Sequence, residues 1–101
     1  MKRKRQGESK MVVGVAWYTA DQWARLLEVS ADRDLLEDSH AEWERSALRA
    51  LKELERVGMR PKKVALDLDE LLNWCLIRNL PLDGEARSTF VAEKLREADK
   101  S

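Results

Sequence analysis

Residues 11–23, MVVGVAWYTADQW, join two kinds of pattern, and the junction between them decides the fold class. Met11 to Tyr18 is an apolar run rich in β-branched and aromatic residues with no polar alternation, as a strand covered on both faces requires. Thr19-Ala-Asp-Gln22 then has the form of a capping box, in which the Thr hydroxyl and the Gln side chain satisfy orphan backbone donors at a helix start. Tyr18 and Trp23 flank it at hydrophobic-staple spacing. The junction predicts a strand followed by a helix from Ala20, with Trp23, Leu26 and Leu27 facing inward until the pattern dissolves over Ser30 to Asp34.

Further along, Ser39-His-Ala-Glu42 is a second capping box. Trp43, Ala47, Ala50, Leu51, Leu54 and Val57 follow on one helical face, closed by Gly58 at the C-cap. Met59-Arg60-Pro61 reads as a break, after which Val64, Leu66 and Leu68 alternate with Lys63, Ala65 and Asp67 as a half-buried second strand. A short third helix is expected from about Asp69, with Leu71, Leu72, Cys75 and Leu76 on its apolar face, ending near Asn79 because Pro81 cannot continue it. Asp83-Gly84 punctuates, and Ala86, Phe90, Val91, Leu95 and Ala98 mark a fourth helix.

The reading is a helix-rich α+β single domain over residues 11–101, ordered strand-helix-helix-strand-helix-helix, its two-stranded sheet packed against four helices. The two-helix connection makes the strands parallel if it is a crossover. So thin a sheet leaves two outer edges, which must be covered by helices or paired by another subunit, so a homodimer is one candidate assembly.

Composition bounds the rest. The chain has 101 residues, enough for one core, and its first ten hold five Lys or Arg and one Glu, leaving 14 basic and 18 acidic groups in the body. A mildly acidic body argues against a broad nucleic-acid face but leaves room for a local one. Residues 1–10 read as a disordered basic tail, with Met11 as an alternative start. The longest apolar run, Met11 to Trp17, is far short of the roughly 20 residues a membrane span needs, so no membrane association and a cytoplasmic location are expected. Cys75, the single cysteine, excludes an internal disulfide and any CxxC metal or redox pair.

Few residues offer chemistry. His40, the only histidine, is the general-base candidate, but it sits one residue past a helix cap and needs partners within hydrogen-bond reach. Asp67, Asp69 and Glu70 follow a strand in the manner of magnesium-holding carboxylates, and equally as an Asp cap on the third helix. Cys75 reads as a small buried hydrophobe, and the four Trp as core. The glycines are isolated, so no phosphate loop is present, and no cofactor or metal is expected. Trp43→Ala is expected to cost about 3–5 kcal/mol, the magnitude for a core Trp.

Residues 63–98 resemble a ribbon-helix-helix DNA-binding unit: the strand Lys63-Val-Ala-Leu-Asp-Leu68, a short helix, a turn, and a helix opening Ala86-Arg-Ser-Thr-Phe-Val91. In that family two chains pair their strands antiparallel in the major groove, and a helix N-terminus grips phosphate. The resemblance implies that Lys63, Ala65 and Asp67 face bases and that Arg87, Ser88 and Thr89 sit by phosphate; Arg87→Ala is expected to leave stability nearly intact. The whole chain also resembles small uncharacterised bacterial proteins sharing Tyr18-Thr19 with Trp23, Asp38-Ser39 with Glu42-Trp43, and Gly84-Glu-Ala-Arg-Ser88. Three functions follow as expectations: a non-catalytic binding protein that meets a protein partner through a strand edge or helical hairpin, a dimeric DNA-binding regulator, or a small enzyme using His40 or the Asp67, Asp69 and Glu70 cluster.

Overall fold

The computed structural model describes residues 11–100; the basic tail, residues 1–10, lies outside the described residues. Strand β1 (Val12–Trp17) leads into α1 (Ala20–Val29), a 3₁₀ turn (Arg33–Leu35) and α2 (His40–Arg56). Strand β2 (Arg60–Ala65), α3 (Leu68–Arg78) and α4 (Gly84–Lys100) complete the chain. The fold is α+β, with four helices and a two-stranded parallel sheet, as the order of patterns predicted. No helix among the described residues is long and apolar enough to cross a membrane.

Each helix starts where its side chains cap it. The Thr19 and Gln22 box is formed from both ends, and Gln22 also donates to the Leu66 carbonyl at 2.7 Å, tying α1 to the end of β2. Ser39 and Asp67 accept from the backbone N–H groups of Glu42 and Glu70. The α2 terminus is a Schellman motif: Gly58 takes φ 92°, its N–H reaches the Glu55 carbonyl and the Met59 N–H that of Leu54.

β2 departs from its sequence reading. It starts at Arg60 and ends at Ala65, so the expected break at Arg60 and Pro61 is itself strand, and Leu68 opens α3. The reason lies in the ladder. The Arg60 N–H bonds the Met11 carbonyl, and with Val12 opposite Arg60 the backbone groups of residues 60, 62 and 64 turn toward β1. Pro61 therefore falls where its missing N–H would have pointed outward, and the ladder loses nothing.

The two faces of the sheet are covered by different helices. On one side Trp17 meets Trp43 of α2, with ring centroids 4.9 Å apart. On the other, α4 comes so close at Gly14 that an added Cβ would lie 2.7 Å from Val91 Cγ1. Most of the core lies beyond the strand ends, where Tyr18, Trp23, Leu26, Leu66, Leu71, Trp74 and Phe90 pack together. Trp17 and Trp43 are only half-buried, and Leu76 is 77 % exposed rather than on an inward face. Leu76 lies in the last turn of α3, which ends at the left-handed Asn79.

Candidate functional site

Among the described residues the outer edge of β1 has no strand paired to it. By the parallel register, Val13, Val15 and Trp17 bond β2, while the backbone groups of Val12, Gly14 and Ala16 point outward. β2's outer edge instead presents Pro61, Lys63 and Ala65, broken by a missing donor and flanked by lysines, which is how natural sheets blunt an edge. β1's edge carries no charge and no proline.

Two hollows run along that edge and share Gly14 and Ser88 as lining, so they form one groove. The first, of about 280 Å³, lies beside Gly14 to Ala16, between α4 on one side and Leu36 and Trp43 on the other, with Tyr18 and Trp23 at its end. The second, about 400 Å³, continues beside Val12 and Val13 under Ala92, Leu95 and Arg96. Arg96 is the only charged side chain lining this second half.

The aromatic end is rigidly built. Trp43 stacks on Trp23 at 5.4 Å, Tyr18 packs edge-on against both, and the Trp23 Nε1 donates to the Glu37 carbonyl. Tyr18 is 5 % exposed, and burial pushes its phenol up to about 12, opposed by the Arg87 charge. Its hydroxyl makes no hydrogen bond to any described residue, and Tyr18 lines the groove.

Arg87, in the wall, is locked. Its guanidinium bonds both Asp32 oxygens, at 3.1 and 2.5 Å, and the Ser30 hydroxyl at 3.3 Å, with both charged side chains nearly buried. The same bonds hold the Asp32 carboxyl below its usual value. Arg87 is thus a buried structural cation that clamps the loop after α1 to the start of α4, at odds with the expectation that its loss leaves stability nearly intact.

The other sequence candidates fall apart in space. Lys63 lays its Nζ over the Trp17 ring at 4.4 Å, and Ala65 is exposed at the end of β2. Ser88 faces the β1 groove, whereas Thr89 lines a separate hollow with Trp74, Leu80 and Pro81. His40 Nε2 is 2.7 Å from the Tyr18 carbonyl; as a carbonyl only accepts, Nε2 donates, and the ring serves to fasten α2 to the end of β1. Asp67 caps α3, Asp69 pairs with Arg25 at 2.7 Å and Glu70 with Lys94 at 2.6 Å. Asp67 and Asp69 line a hollow of about 530 Å³, without Glu70 or His40. Among the described residues no three His, Cys, Asp or Glu are grouped to hold a metal ion. Cys75 is buried within 4.0 Å of the Pro81 carbonyl, and burial raises its thiol.

Tyr18, Gly14, Asp32 and Arg96 were not singled out by sequence as site residues. Gly14 carried a signal, since glycine inside a buried strand marks a close approach of another element. Asp32 carried none, because its partner lies 55 residues away. Neither a family model, nor a curated protein, nor a solved structure matches this chain.

Proposed function

We propose that the protein is a small non-catalytic interaction protein of the cytoplasm that takes up an extended segment of a partner protein as a third strand along β1. One observation carries this reading: the backbone groups of Val12, Gly14 and Ala16, unpaired among the described residues, face a largely apolar groove walled by helices, while the opposite sheet edge is blunted. Buried or half-buried backbone donors and acceptors call for partners, and strand addition supplies them along the whole edge at once. Half-buried Gly14 leaves room for another backbone to come close. A reducing compartment is compatible with the single cysteine, Cys75, which has no second cysteine in this sequence to pair with.

The test is a random linear peptide library panned against the immobilised full-length chain. Selected peptides should protect the Gly14 and Ala16 amides from hydrogen exchange and leave those of Lys63 and Ala65 unchanged. No selected peptide, or protection elsewhere, overturns the reading.

The second reading, a dimeric DNA-binding regulator, draws on the exposed Arg60, Lys62 and Lys63 of β2. It requires two copies to pair across β2's outer edge and Pro61, so it predicts a stable dimer in light scattering and DNA affinity that falls steeply with salt. A strict monomer removes it.

A further inference from the structure

Resting on the strand-accepting reading, we infer that the accepted strand is selected by one aromatic side chain bearing a hydrogen-bond acceptor, seated in the Tyr18, Trp23 and Trp43 pocket, and by a carboxylate on the same face near Arg96.

The pocket is the more specific half. Its volume of about 280 Å³ lies just under the range of small-molecule sites, about 300–1,000 Å³, and suits one large side chain of an incoming strand. Trp43, half-buried and stacked on Trp23, lines the pocket with a ring against which an aromatic side chain can pack. Within this apolar setting the Tyr18 hydroxyl is a donor with no partner among the described residues, although the residue is 95 % buried. A side chain that fills the pocket without an acceptor leaves that donor stranded, which is the strongest discrimination a small site can make. Arg87, in the same wall, is already paired with Asp32.

At the other end Arg96 is exposed and, among the described residues, is the only charge on the wall beside Val12 and Val13. A strand rises about 3.3 Å per residue with alternate side chains on one face, so positions opposite Ala16 and Val12 share a face four residues apart. Opposite charge at that distance steers and registers the strand. A second copy fits less well than a single peptide: β1 paired with its own image would bring a second α4 onto the same face, where Val91 and Leu95 of α4 already crowd Gly14.

The probes are short, end-blocked threonine–valine peptides carrying a tyrosine and a glutamate about four positions apart, in both orders because strand direction is free. Binding to the full-length chain is read by fluorescence anisotropy. Replacing the tyrosine by alanine should weaken binding about tenfold or more, and replacing the glutamate by lysine several-fold at low salt, less at high salt. Phenylalanine in place of tyrosine should also bind several-fold more weakly, and Tyr18→Phe should abolish that difference without changing the fold. Equal binding of all probes, or a tyrosine preference that survives Tyr18→Phe, overturns the inference. If no probe binds while library peptides still protect Gly14 and Ala16, the side-chain rule falls and the strand-accepting reading stands. If those amides are never protected, both fall.

Discussion

Gly14→Ala tests how α4 is seated on β1. The new Cβ would lie 2.7 Å from Val91 Cγ1, 3.4 Å from Val64 and 3.5 Å from Leu95, against an optimum near 3.5–4.0 Å for carbon pairs. About 1 Å must therefore be recovered. Val91 is 2 % exposed and β-branched, so it cannot rotate away, and α4 itself must shift. Overpacking of this kind costs about 1–3 kcal/mol. Against it stands the entropy removed from the unfolded chain by Gly→Ala, about 0.4–1 kcal/mol, which applies because Gly14 does not have a positive φ. The expected net loss is on the order of 1–2 kcal/mol, read as a lower urea midpoint with unchanged slope. Each kcal/mol should lower Tm by about 4–8 °C in a domain of this size. In a Val91→Ala background the same substitution should be neutral or stabilising, a coupling of at least about 0.5 kcal/mol. If Gly14→Ala stabilises the native chain, or costs the same in both backgrounds, the close seating of α4 is wrong.

The remaining expectations concern buried groups. Arg87→Ala should cost about 3–5 kcal/mol because it strands Asp32, contrary to the near-neutral effect a surface arginine would show; urea unfolding decides. As Asp32 is depressed, its contribution is fully present above its ordinary value of 3.8 and is lost as pH falls through the lower folded value, so Asp32→Asn should flatten the acid limb of the stability curve. Tyr18, the only tyrosine, should ionise near pH 12 in ultraviolet titration of the folded chain, and its contribution should be lost between 10 and 12; titration near 10 would show the ring to be exposed. Trp23→Ala should cost about 3–5 kcal/mol and half-buried Trp43→Ala less, correcting the full core cost that periodicity alone suggests for Trp43.

Local chemistry was legible in advance. The capping residues Thr19, Ser39 and Asp67, the Gly58 terminus and the apolar run of β1 act over a few residues, so sequence alone settled the order of elements and their type. It also settled that Cys75 has no disulfide partner, because there is no second cysteine. The bounds of β2 were not legible: the alternation of Val64, Leu66 and Leu68 continues across a strand end and a helix start, since buried positions beyond an edge obey the core rather than the pleat. Nor could sequence say that Pro61 points outward, because that depends on which residue β1 places opposite it. Tertiary structure alone decided that Arg87 is buried against Asp32, that His40 spends its proton on the Tyr18 carbonyl, and that β1's edge opens between two helices. Each of these joins residues far apart in the chain, and the pairing of distant groups is set by how helices pack on the sheet, which no short window of sequence encodes.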